Sequence, residues 1–334
     1  MSTARSQLLA ALLSEYWSSD DWVDPLHPLL DGWSQAQADR PYAPGVASVR
    51  QVVNHTAYWE DYLHRATTGA SLDDLAQTDE AGEGREPSGM PAWPAAVDRY
   101  RGVHEQWRST VATLDERDWL ASPADGHPAR QLYVGMAALH AAYHAGQLSL
   151  IRQLMELPSA EKAAPTGTAY PTSPVAETGT FYEAWSDMAW QGGELFVGFD
   201  ELTAAISVEQ ADGRLNDRVS SMTEMVNHMT FWEAYAARRL RAEDTTDMAK
   251  VSPGEAPPDG LPWPEARERL IEQHRDLRET MGTLGDAEWA KPRPGEGKTF
   301  EAGRPPHWLA CGAILHHAYH MGQLVWLDEL HSAS

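Results

Sequence analysis

Four stretches of this chain recur, in the same order, about half a chain later. Residues 51–65 (QVVNHTAYWEDYLHR) read against 224–238 (EMVNHMTFWEAYAAR), and 92–107 (AWPAAVDRYRGVHEQW) against 262–277 (PWPEARERLIEQHRDL). TLDERDWL at 113–120 then matches TLGDAEWA at 283–290, and LHAAYHAGQLSLI at 139–151 matches LHHAYHMGQLVWL at 315–327. Four ordered matches displaced by roughly 170–176 residues are a duplication. The chain must therefore fold as one domain made twice, and its 334 residues suit two domains of ordinary size. Residues 158–177, rich in Pro, Ala, Thr and Ser and without apolar periodicity, read as a linker. That sets domain one at 1–157 and domain two at 178–334.

Within each copy the apolar period is helical. Leu132, Met136, Leu139, Tyr143 and Leu150 recur at three- and four-residue steps, which is one stripe of a helix. Strand patterns are scarce. Four long segments per copy, broken by Pro- and Gly-rich loops such as 83–94 and 252–264, predict an all-α fold of two tandem four-helix bundles. The long loops predict at least one crossover connection.

The repeated histidines carry the chemistry. His140 and His144 are four apart, so they stack on one helical face, with Gln147 on the same line. His316, His320 and Gln323 repeat the arrangement. His55 lies on a stripe with Val52, Trp59 and Tyr62, and His228 on one with Met225, Trp232 and Tyr235, so both point into their bundles. A lone His on an apolar face is more often a hydrogen-bonded core residue than a ligand. A helical His pair joined by a third inward His, the whole set duplicated, reverses that judgement. Three neutral imidazoles buried together without a cation would leave acceptor nitrogens unpaired, at about 1–3 kcal/mol each. We therefore expect a divalent transition metal in each domain, on His55, His140 and His144 and on His228, His316 and His320. Three ligands leave a coordination position open, as in catalytic sites. Neutral imidazole suits zinc, nickel, cobalt or ferrous iron alike.

An inward His on the second helix with His-x-x-x-His-x-Gly-Gln on the last resembles the DinB-like (DNA-damage-inducible) metalloprotein superfamily. Here the pattern stands as His55 with HAAYHAGQ at 140–147 and His228 with HHAYHMGQ at 316–323, and the resemblance covers both halves. It implies a four-helix bundle with a three-histidine ion, usually zinc or nickel. Relatives include S-transferases and isomerases that use mycothiol or bacillithiol, so a low-molecular-weight thiol and an electrophilic small molecule are the implied partners. A hydrolase and a non-catalytic metal-binding or stress-response module are the alternatives. Single-bundle relatives are expected to pair, so the two copies should pack as an intramolecular pseudo-dimer, in a monomer or a homo-oligomer.

Other features bound the reading. With 49 acidic residues against 26 basic ones, the net charge of −23 disfavours nucleic acid and anionic membrane surfaces. No stretch has the apolar length of a membrane span, and the polar, acidic start lacks the form of a signal peptide, so a cytoplasmic location is expected. The single cysteine, Cys311, is expected to pack as a small apolar residue. Glu60 and Glu233 follow the first His by five residues and turn away from its stripe, which predicts solvated carboxylates or inter-helix salt bridges. No catalytic base is assigned. His104 and His274 read as packing or surface residues, Trp59 and Trp232 as core filling, and His317 as pointing away from the triad. HEQWR at 104–108 lacks the second His of a zinc-protease motif, and GKT at 297–299 lacks the first Gly of a phosphate loop.

Overall fold

The computed structural model describes residues 3–19, 21–75, 91–124, 126–157, 169–193, 196–248, 260–293 and 304–332, and among them all regular structure is helical. Among the described residues each half contributes seven helices in the same order. Half one has α1 (Ala4–Ser18), α2 (Leu26–Leu29), α3 (Gln35–Asp39), α4 (Val49–Thr68), α5 (Ala95–Val111), α6 (Glu116–Leu120) and α7 (Arg130–Leu154). Half two has α8 (Thr178–Gln191), α9 (Phe199–Ala204), α10 (Val208–Asp212), α11 (Met222–Leu240), α12 (Trp263–Thr283), α13 (Asp286–Trp289) and α14 (Pro306–Ser332). Most of the loop segments 83–94 and 252–264, the linker residues 158–168 and GKT at 297–299 lie outside the described residues.

The four long helices of each half close into a bundle. In half one α1 and α4 each pack against both α5 and α7, and in half two α8 and α11 each pack against both α12 and α14. Hence α1 and α4 are diagonal, and the connection between them, carrying α2 and α3, crosses the end of the bundle. The expected crossover is found. The two ligand-bearing second helices start alike. The Ser48 hydroxyl accepts from the Gln51 N–H while the Gln51 side chain accepts from the Ser48 N–H, and Ser221 with Glu224 does the same on α11. These reciprocal caps satisfy donors that a helix start leaves orphaned, and they fix where α4 and α11 begin.

α7 and α14 are apolar all round because each is buried on all sides. One face of each looks into its own bundle, and the opposite face meets the other helix in the most extensive helix–helix contact of the molecule. The crossing is reciprocal. A Cβ on Gly146 would run into the carbonyl oxygen of Tyr319, and a Cβ on Gly322 into that of Tyr143. A contact in which i meets j and j meets i is the signature of a two-fold interface. The glycine of each His-x-Gly-Gln run thus permits the halves to dock, and the pseudo-dimer is present. The described end of the linker also packs, with Tyr170 and Val175 buried and the Tyr170 hydroxyl donating to Glu15 at 2.8 Å.

Candidate metal centres

α4 and α7 of half one, and α11 and α14 of half two, bring each predicted triad together. His140 Nε2 lies 3.1 Å from His55 Nε2 and 3.0 Å from His144 Nε2. In half two, His316 Nε2 lies 3.0 Å from both His228 Nε2 and His320 Nε2. In both triads the ligand atoms fall within 4.8 Å of one another. All six sequence-predicted histidines therefore occupy their expected places.

The surroundings favour an ion over a hydrogen-bonded cluster. His144 Nδ1 sits 2.7 Å from Gln147 Oε1, and His320 Nδ1 2.7 Å from Gln323 Oε1. An amide oxygen only accepts, so Nδ1 must carry the proton and Nε2 must present a lone pair. That lone pair points at another imidazole nitrogen. Gln147 and Gln323 thus act as the outer partners that fix ligand orientation in metal sites. Burial, reinforced by the neighbouring rings, pushes His140 and His316 far below the ordinary imidazole range, and burial holds His55 at about 4. The ligands are neutral near pH 7, the form a metal requires. His140 Nδ1 and His316 Nδ1 are buried without a hydrogen-bond partner. An ion would instead be held by the three converging Nε2 atoms of each triad, and those two Nδ1 atoms would stay without a partner.

Aromatic residues flank both triads. Trp59 stands edge-on to His55 at 6.4 Å and Trp232 to His228 at 6.3 Å, each half-buried. Trp232 also packs against the hydrophobic core, as core filling would have it. Over the second triad lies a cavity of about 380 Å³ whose lining includes His228, His316 and His320 together with Asp21, Trp22 and Asp24 of half one. Nothing in the sequence announced that the segment between α1 and α2 reaches the other half's site. Its anchor is legible only in three dimensions: the Trp22 indole occupies the space a Cβ on Gly312 would need.

The carboxylates Glu60 and Glu233 are not solvated. Both are completely buried, which corrects the expectation of solvation, while the expected inter-helix ion pair is formed by Glu233 with His274 of α12 and His317 of α14. Glu60 accepts from the hydroxyls of Tyr100 at 2.8 Å and Tyr16 at 3.1 Å, and burial raises its pKa to about 8 despite those bonds. Glu233 instead faces His317 Nδ1 at 2.8 Å and His274 Nδ1 at 3.2 Å. Burial pushes Glu233 up, but the charge of His274 and the hydrogen bonds from both rings outweigh it and hold the group at about 2. His317 does point away from the triad, as its helical position implies. His104 and His274 pack under stacked indoles, Trp17 at 3.8 Å and Trp190 at 4.3 Å, and Cys311 is a buried free thiol.

The sequence profile of the DinB superfamily matches residues 23–148 and again 198–324. The chain therefore belongs to the DinB superfamily, as a tandem duplication of its bundle. It significantly matches no curated protein and no solved structure. No helix among the described residues is long and apolar enough to cross a membrane.

Proposed function

We propose that this protein is a metal-dependent enzyme, holding one divalent transition ion per half, that transfers a low-molecular-weight thiol to an electrophilic small molecule. The observation that carries the reading is the convergence of three Nε2 atoms with the tautomer of one ring fixed by a glutamine, made twice. Three protein donors leave room for an exchangeable ligand, and the cavity over the second triad gives that ligand a place to enter. Zinc or nickel is the ion we favour from the all-imidazole donor set. A cytoplasmic setting, where low-molecular-weight thiols are abundant and reduced, fits the single buried cysteine.

When bound, the ion would lower the pKa of a coordinated thiol and hold it as the nucleophile. The chain's own residues do the rest. His55, His140 and His144, with their counterparts His228, His316 and His320, fix the ion. Gln147 and Gln323 hold the ligand rings in the tautomer that leaves Nε2 free. Trp59 and Trp232 exclude water from one side. No dedicated base is needed, since a metal-held thiol is already deprotonated near neutral pH.

Elemental mass spectrometry of natively purified protein tests the foundation. Two ions per chain are expected, one in His144→Ala or His320→Ala, and almost none in the double variant. A chain that takes up no ion when grown with ample zinc and nickel would show that the histidines are only core residues. A protein that binds two ions but transfers none of a panel of thiols to electrophiles would instead be the non-catalytic metal module.

A further inference from the structure

The two triads are alike, but what surrounds their mouths is not. The cavity over the second triad is walled by both halves, and its polar residues come from each. Half two supplies Arg218 and Ser220, and half one supplies Asp24 and Gln153. The matching positions of the other site follow from the repeat. Counting back from His55 as from His228, Gly45 stands for Arg218 and Ala47 for Ser220. In the reaching segment Val197 stands for Asp24, each just before the residue that precedes the short helix α9 or α2. The charged pair of one site is absent from the other.

Those two charges are available to a ligand. Asp24 Oδ2 accepts from the hydroxyls of Ser149 at 2.6 Å and Tyr319 at 2.9 Å, and the Arg152 guanidinium, which donates to the Asp31 carbonyl at 2.7 Å, feels its charge. Asp21 differs, because Arg304 pairs with it at 2.8 Å and the Trp308 indole donates to it at 3.1 Å. Glu224 likewise is engaged by Arg214 and by its own helix cap. Among the described residues Arg218 pairs with Glu156 alone, at 3.5 Å with both side chains more than half exposed, and such a pair is readily exchanged. One carboxylate and one guanidinium, on opposite halves of the chain, therefore border a space of about 380 Å³ above the triad.

We propose that the duplicated sites have diverged in ligand. The second is a composite site for a small zwitterionic molecule of dipeptide size, its cationic group on Asp24 and its carboxylate on Arg218, while the first lacks both of those partners. Asp24 is thus a specificity residue that half one contributes to the site of half two. The proposal rests on the metal-dependent thiol reading above, and its test separates the two. Cobalt(II)-loaded full-length His140→Ala retains only the second site, and His316→Ala only the first. Should His140→Ala fail to fold, the partly exposed His55→Ala replaces it. Cobalt absorption then reports titration with three thiols of one shape: cysteinylglycine, its N-acetyl form and its C-terminal amide.

At the second site cysteinylglycine should bind about tenfold more tightly than either modified form, the size of one charge-assisted hydrogen bond. The first site should not distinguish the three. Asp24→Val should abolish the preference over the N-acetyl form alone, and Arg218→Gly the preference over the amide alone, with cobalt content unchanged. Equal affinities for all three thiols at the second site, or the same ranking at both sites, overturn the proposal while leaving the thiol reading intact. Two bound cobalt ions whose spectra respond to none of the thiols overturn both.

Discussion

Glu60 and Glu233 occupy the same position in the two copies, yet they are opposite kinds of group. Glu60 accepts from two phenols, with the His104 ring 4.0 Å off, whereas Glu233 faces two imidazoles at hydrogen-bond distance. The change is coordinated across three helices. Ala189 precedes Trp190 where Tyr16 precedes Trp17; Leu270 lies four before His274 where Tyr100 lies four before His104; and His317 follows His316 where Ala141 follows His140. Two tyrosines on two helices give way to one histidine gained on a third, while the histidine at 104 and 274 is common to both halves. Neutral hydroxyls cannot offset the desolvation of a charge, so Glu60 rises to about 8 and keeps its proton near pH 7. Imidazoles can take up that charge's complement, so Glu233 is held ionised at about 2. A buried acid tolerates either solution, but the neutral one is hydroxyl-lined and the ionised one must be paired.

The largest test of that contrast is a matched pair of substitutions. Glu233→Gln removes a buried charge from its partners and should destabilise the fold by about 3–5 kcal/mol in urea unfolding. Glu60→Gln replaces an already neutral carboxyl by a neutral amide and should cost less than about 1 kcal/mol at pH 6, below the Glu60 pKa of about 8. Equal losses at that pH would show that the two carboxyls share one protonation state.

The pH dependence of stability should split in the same way. Between pH 4.5 and about 8 folded Glu60 holds a proton that the unfolded chain has released. Its contribution is therefore complete below pH 4.5 and declines as pH rises through about 8. Glu233 runs the other way: its contribution is complete above pH 4.5 and is lost as pH falls toward about 2. Urea midpoints measured across pH should show Glu60→Gln flattening the alkaline limb and Glu233→Gln the acid limb. A single limb altered by both variants would contradict the assignment.

A smaller effect is expected from exchanging the partners. His317→Ala installs the half-one residue and leaves Glu233 short of its 2.8 Å donor, a loss of about 1–3 kcal/mol. Ala189→Tyr alone should overpack by a similar amount, because Ala189 is fully buried. Together they recreate the half-one arrangement on α8 and α14, so the double variant should be more stable than the sum of the singles predicts. Strict additivity in that cycle would mean the two positions do not share a site.

Much of the metal centre was legible in the sequence because its parts are local or repeated. His140 and His144 share a face by helical geometry alone, and duplication singled out His55. The buried acids were missed for a physical reason. A residue five after the ligand turns off the ligand stripe, and off the stripe usually means toward solvent. Here it means toward two other helices of the bundle, α5 and α1 for Glu60 and α12 and α14 for Glu233, whose partner residues lie 40 and 44 away for Glu60 and 41 and 84 away for Glu233. A signal was present, since Glu60 and His104 recur together as Glu233 and His274. Docking of the halves was expected from the family resemblance, but not the surface that makes it: Gly146 reads as a weak point in a helix until Tyr319 of the other half is placed against it.

The smallest expected effect tests whether the contrast is confined to the bundle interiors. Ser48 and Ser221 cap α4 and α11 with the same reciprocal geometry, although the third residue is Gln51 in one and Glu224 in the other. Each Ser→Ala change should cost about 1 kcal/mol, the ordinary value of an N-terminal cap. If the copies differ only in what surrounds their buried acids and their cavity mouths, these two losses should agree within error in urea unfolding. A markedly larger loss for Ser221→Ala would trace to Glu224, whose carboxylate also pairs with Arg214 at the mouth of the second site. The cap would then be coupled to the cavity wall, and the divergence of the halves would extend to the helix that delivers the first ligand.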